Sequence, residues 1–134
     1  MNKRIGLLLS LLAIFLWSAC DSHTTEFEGK WQLAEIEYAG NVTPVDTVWY
    51  NFQTSLFQYQ IYDRTTDQYL AVHGYHTYEN GILSLDLFQS TEDERNFLER
   101  TDWDSAQRSF SVEEISREKL ILSDDGKRYI FRKF

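Results

Sequence analysis

From Gly29 onward, apolar and aromatic side chains recur at every second position in short runs bounded by turn residues. This period of two constrains the fold more than any other feature. A strand points successive side chains to opposite faces, so strict alternation describes a half-buried strand. Eight such runs are visible, at about residues 29–38, 47–53, 56–63, 69–78, 82–88, 107–115, 119–123 and 128–134. Val48, Tyr50 and Phe52 alternate with Thr47, Trp49 and Asn51; Phe57, Tyr59 and Ile61 alternate with Leu56, Gln58, Gln60 and Tyr62. In the first run Trp31 and Leu33 have one parity and Ile36 and Tyr38 the other, which predicts a bulge near Ala34. Asn80-Gly81 and Asp124-Asp125-Gly126 predict hairpin turns, because these residues accept positive φ. Residues 39–46 contain the only proline and are predicted to form a loop.

The alternation lapses over residues 91–100, where Thr91 followed by Glu94 forms a capping box. One short helix is predicted there, with Phe97 and Leu98 placed to plug whatever lies beneath. Eight strands with mainly short connections fit an all-β, antiparallel up-and-down meander. Closure into a barrel is the expected way of protecting its edges, and a two-sheet β-sandwich is the alternative. An eight-stranded barrel has an interior that side chains just fill, or one that holds a single small ligand.

Length and charge narrow the function. A chain of 134 residues accommodates one domain. With 13 Lys+Arg against 21 Asp+Glu, the formal charge of −8 offers no basic footprint for nucleic acid. A single cysteine excludes an internal disulfide framework. That cysteine, Cys20, closes a segment built from Lys3 and Arg4, the apolar run 5–17, and the small residues Ser18 and Ala19. The run is shorter than the ~20 residues that cross a bilayer and has the parts of a secretory signal.

Ser18-Ala19-Cys20 after that run resembles the lipobox of bacterial lipoproteins, with Trp17 where the pattern carries Leu. The resemblance implies cleavage before Cys20 and a covalent diacylglyceryl and N-acyl lipid on its side chain and new N-terminus. The expected organisation is then a signal at 1–19, a lipidated tether at 20–28 and a barrel domain at 29–134. Lipid on Cys20 would hold the domain on a membrane and consume the thiol. Asp21 resembles an inner-membrane retention signal of enteric bacteria, a rule that differs between lineages. The expected location is the cell envelope, at the outer membrane.

The domain opens with Gly29-Lys30-Trp31, which is similar to the G-x-W that begins the first strand of lipocalins. The combination of lipobox, early G-x-W and C-terminal hairpins ending in Tyr129-Ile130-Phe131-Arg132-Lys133-Phe134 resembles small lipocalin-like bacterial lipoproteins. The resemblance implies that Trp31 closes one barrel end against an arginine of the last strand, Arg128 or Arg132. Thr101-Asp102-Trp103 looks like a lipocalin motif but precedes the sixth strand, and its likeness is read as chance.

The chemistry-bearing residues form no catalytic or metal-binding pattern. His73 and His76 lie three apart on a strand and face opposite ways, so they cannot share a metal ion. The acidic groups Glu92-Asp93-Glu94, Glu113-Glu114 and Asp124-Asp125 fall at a helix start, a strand end and a turn, where solvated carboxylates are the default. Asp86 is the one acid placed mid-strand. No enzyme, cofactor or metal is expected. The informative feature is aromatic content, 4 Trp, 8 Tyr and 9 Phe, since ligand pockets are walled by apolar and aromatic side chains. The inward parity comprises Val48, Tyr50, Phe52, Phe57, Tyr59, Ile61, Leu70, Val72, Tyr78, Leu83 and Leu85. Of these, Tyr50, Phe52, Phe57, Tyr59, Val72, Tyr78, Leu83 and Leu85, with His76, are the candidate contacts of a small apolar ligand. The competing expectation is a filled barrel that binds an envelope protein through outward Trp49, Leu56 and Tyr62.

Overall fold

A computed structural model describes residues 26–88 and 91–134. The signal segment, Cys20 and most of the expected tether lie outside these residues. So does the side chain of Thr91, and with it the expected capping box. Among the described residues nine strands and one helix follow in order: β1 (Gly29–Tyr38), β2 (Asn41–Pro44), β3 (Val48–Gln53), β4 (Leu56–Asp63), β5 (Gln68–Glu79), β6 (Ile82–Phe88), α1 (Thr91–Arg100), β7 (Gln107–Ile115), β8 (Lys119–Asp124) and β9 (Lys127–Lys133). Strands β1 and β3 to β9 pair antiparallel in sequence order, and β9 returns to pair with β1. The wall is therefore a closed eight-stranded barrel, which removes the sandwich alternative.

β2 departs from the expected loop at 39–46. It pairs with β1 alone, from Glu35↔Pro44 to Tyr38↔Asn41, after a turn in which Ala39 and Gly40 both have positive φ. Proline is tolerated at a sheet edge, where its missing N–H interrupts no ladder on the open side. The proline signal was real, but it marks an edge.

Two bulges let the barrel keep its apolar side chains inside. The β1–β9 register shifts between Leu33 and Glu35, leaving Ala34 as the extra residue where the parity change predicts it. Trp31 and Leu33 enter the core before the shift, and Ile36 packs against it afterwards. The β7–β8 register shifts likewise between Val112 and Glu114, so that Val112 and Ile115 both reach the core. At the predicted turns, Asn80 and Gly81, and then Asp125 and Gly126, take positive φ in pairs.

Candidate functional site: the barrel interior

The interior is built from the inward parity of each strand. Val48, Tyr50, Phe52, Phe57, Tyr59, Val72, Leu83 and Leu85 are buried, and Ile61 and Tyr78 are partly buried against them. Leu70 is half-buried. The strand pairs Tyr50↔Tyr59 and Phe52↔Phe57 place aromatic residues side by side. Ring centroids lie 5.3 Å apart for Tyr50–Tyr59, 5.2 Å for Tyr50–Phe57 and 5.2 Å for Phe52–Phe57. These are contact distances for aromatic pairs. The candidate ligand contacts meet one another, and the middle of the barrel is filled.

The lower end, where β1 begins, is plugged. Phe27, from the segment expected as a tether, is fully buried and stacks on Phe52 at 5.4 Å and Tyr78 at 5.0 Å. Its carbonyl accepts a 2.8 Å hydrogen bond from Trp31 Nε1. The cation on Trp31 is neither Arg128 nor Arg132, as the family resemblance implied. The β1–β9 register sets Trp31 opposite Lys133, and Lys133 Nζ lies 4.3 Å from the ring centroid while donating to the Glu28 carbonyl. Arg132 has the opposite parity and donates to Gln32 Oε1 through Nε at 2.8 Å; Arg128 pairs with Glu37 and Glu113 outside.

His76 is 2% exposed in this lower half, 5.0 Å from Phe52 between ring centroids. Its Nδ1 lies 3.1 Å from the Leu56 carbonyl, which only accepts, so Nδ1 carries the proton and Nε2 is an acceptor with no hydrogen-bond partner among the described residues. Burial lowers the His76 pKa, and the bond to Leu56 opposes that shift. His73 faces outward beside Gln58. Among the described residues no group of three His, Cys, Asp or Glu is placed to hold a metal ion.

The upper end holds a polar cluster that the sequence reading missed. Arg108 lies opposite Leu85, with the same parity as buried Phe110, so it points inward. Its side chain is 10% exposed, and its guanidinium lies 4.5 Å from the Phe110 ring centroid, 5.1 Å from Tyr129 and 5.6 Å from Trp103. Nη1 donates to Asp102 Oδ1 at 2.9 Å, Nη2 to the Tyr129 hydroxyl at 2.7 Å, and Nε to Asp124 Oδ2 at 3.1 Å. The Tyr129 hydroxyl in turn donates to Asp102, and Lys127 Nζ lies 3.8 Å from the same carboxylate.

Burial works to raise the Asp102 pKa, but bonds from Arg108 and Tyr129 and the charges of Arg108 and Lys127 outweigh it and hold it below the ordinary value. Burial raises Tyr50, Tyr59 and Tyr129, so all three are neutral phenols. The available signal was the alternation Arg108, Phe110, Val112, which gives an arginine an inward parity. Its partner Asp102 lies in the segment whose likeness to a family motif was set aside.

Above this cluster, α1 and the chain after it close the barrel. Phe97 is fully buried, 4.9 Å from Tyr59 and 5.1 Å from Trp103, and Trp103 is 5.9 Å from Tyr59. Open clefts lie on the outside. One of about 470 Å³ runs past Phe110, Ser123, Asp124 and Lys127; another of about 720 Å³ runs past Val45, Ile61, Arg64 and Arg100.

The outer face also differs from expectation. Trp49 is only 7% exposed, being covered by Tyr69, Phe134 and Lys30. Tyr62 is half-buried against Tyr69, and Leu56 is exposed as expected.

Closure of eight antiparallel strands, with the first-strand Trp31 sealed against the last strand, is the architecture of the family that the sequence resembles. The profile of the family described as a lipocalin-like domain matches residues 13–134. The chain belongs to this lipocalin-like family. It is similar to a lipocalin-like protein from Bacteroides uniformis, with 30% identity and a TM-score of 0.74 over 81% of this chain and 99% of that one. An uncharacterized protein from Bacteroides eggerthii is similar at 29% identity and a TM-score of 0.70, with the same coverage. No curated protein matches the sequence. In this lipocalin-like barrel the two ends are closed differently: Phe27 and Trp31 seal the lower end, and α1 with Trp103 covers the upper.

Proposed function

We propose that the chain is the head of a bacterial cell-envelope lipoprotein. It is anchored by lipid on Cys20, at the outer membrane, and acts as a binding domain rather than an enzyme. Its barrel takes up a small, mainly apolar ligand from the upper end. The observation that carries this reading is the nature of the upper closure. There the interior is occupied by Phe97 and Trp103, which belong to the helical connection between β6 and β7 and not to the strands of the wall. Displacing them leaves an aromatic chamber with Tyr59, Tyr129 and Arg108 converging on it. Phe27 enters at the opposite end, so the tether and the opening lie at different poles.

Native mass spectrometry of the protein purified from its own host is the test. A bound small molecule is the expected result. Its absence, in the wild type and in Phe97→Ala, refutes uptake. Detergent partitioning before and after Cys20→Ser tests the anchor, and an unchanged distribution refutes it.

A second reading, a filled barrel that docks on an envelope protein, is favoured by one observation on the outer face. Tyr75 and Phe88 are both more than half exposed, stack at 5.1 Å, and stand beside exposed Leu56. Such adjacent exposed apolar groups mark contact surfaces.

A further inference from the structure

The upper cluster names the ligand class, resting on the uptake reading above. Asp102 belongs to the same covering segment as Phe97 and Trp103, one residue before the indole and two after α1 ends. Arg108, Tyr129, Asp124 and Lys127 belong to β7, β9, β8 and β9, the barrel wall. The Asp102 carboxylate therefore latches the cover to the wall through Arg108 and Tyr129.

When the cover moves, Asp102 leaves with it. Arg108 keeps Asp124 through Nε and the Tyr129 hydroxyl through Nη2, but Nη1 and the Tyr129 hydroxyl lose their common acceptor, Asp102, between the rings of Phe110 and Tyr129. Loss of one of the two carboxylates from a largely buried guanidinium, together with unpaired donors on Nη1 and the Tyr129 hydroxyl, is costly, so a wholly apolar molecule is a poorer occupant of the opened chamber than one that brings an acceptor. A ligand that replaces the lost carboxylate restores both the charge and the hydrogen bonds, which are strongest for an anionic acceptor facing Arg. We propose that the barrel selects an amphiphile with an anionic head, whose carboxylate takes the place of Asp102 on Arg108 and Tyr129 while its apolar tail replaces Phe97 and Trp103. Asp102 is then an internal competitor for the ligand, and uptake and cover opening are one event.

The test uses the full chain carrying Cys20→Ser, which removes the protein's own acyl groups as competitors. Dodecanoate, dodecanol and dodecylamine are titrated by isothermal calorimetry. Dodecanoate is expected to bind about tenfold or more tighter than dodecanol, the worth of hydrogen bonds to a charged group, and the amine is not expected to bind. Asp102→Asn should tighten dodecanoate and leave dodecanol unchanged. Arg108→Gln should erase the preference for the acid. Tyr129→Phe keeps the ring on Phe110, removes only the hydroxyl, and should weaken dodecanoate alone, so the test stands even where a charge variant fails to fold. Equal binding of acid and alcohol, preferred binding of the amine, or weaker dodecanoate binding in Asp102→Asn overturns the assignment while leaving uptake intact. No binding of any probe, in the wild type or Phe97→Ala, overturns both.

Discussion

Replacing Gly74 by alanine separates a general rule from the geometry of this barrel. Alanine inside a strand ordinarily costs less than glycine, by roughly 0.5–1 kcal/mol. At Gly74 of β5 the sign reverses. A Cβ built there falls 2.1 Å from the Asp86 carbonyl oxygen, 2.7 Å from Leu87 Cα and 2.8 Å from Asp86 C. Carbon–oxygen contacts ordinarily run to about 3.3 Å or more, so β5 and β6 must part by roughly 1 Å. The obstacle is backbone, held by pairing to β5 on one side and β7 on the other, and it has no rotamer to change. Overpacking costs about 1–3 kcal/mol, and weakening the ladder around His73↔Phe88, Gly74↔Leu87 and Tyr75↔Asp86 adds about 0.5–1.5 kcal/mol for each bond lost.

A total of about 3 kcal/mol corresponds to a fall in Tm of roughly 10–15 °C for a domain of this size. Circular dichroism melts of the full chain carrying Cys20→Ser, with and without Gly74→Ala, measure it. Gly81→Ala is the control: φ is +77° and nothing lies within 4 Å of its built Cβ. Only the cost of a left-handed alanine applies there, about 1–2 kcal/mol. A Gly74→Ala protein that melts at or above the wild-type temperature refutes the close approach and the strand register on which it depends.

Other outcomes follow from the two ends of the barrel. Lys133→Met keeps the stem on Trp31 but removes the cation, and should cost about 0.5–2 kcal/mol in urea unfolding; Arg128→Met should leave the Trp31 fluorescence environment unchanged. Phe97→Ala should destabilise by about 3–5 kcal/mol if its cavity persists, and a loss below about 1 kcal/mol would show that the cover is not packed into the core. Because the folded Asp102 pKa is depressed, its contribution is present above the unfolded value near ~3.9 and lost as pH falls through the lower folded value. Acid unfolding below about pH 4 should therefore be shallower in Asp102→Asn. Burial also lowers the His76 pKa, so the unfolded chain binds the extra proton first. Stability should decline as pH falls below ~6.5, and His76→Gln should flatten that slope in pH-dependent denaturation.

The parity of 48–52, 57–61 and 83–87 and the bulge at Ala34 were legible along the chain. Each is a relation between residues a few positions apart, and neighbours in sequence stay neighbours in a strand. Pro44 misled because its local signal is the same in a loop and at an edge; only the absence of a second neighbour for β2 distinguishes them. Trp49 was correctly outward by period, yet it is covered because Lys30, Tyr69 and Phe134 reach it from elsewhere in the chain.

By itself the sequence determined an all-β chain of eight wall strands, with their inward and outward faces and one interrupting helix. Tertiary structure alone decided which cation meets Trp31, since that depends on a one-residue register between strands at opposite ends of the domain. It also brought Phe27 into the core and joined Arg108, Asp102 and Tyr129 from three separate segments. The physical reason is that side-chain period is set by the backbone of a single strand, whereas register, closure and the pairing of buried charges are set by contacts that exist only once the barrel has closed.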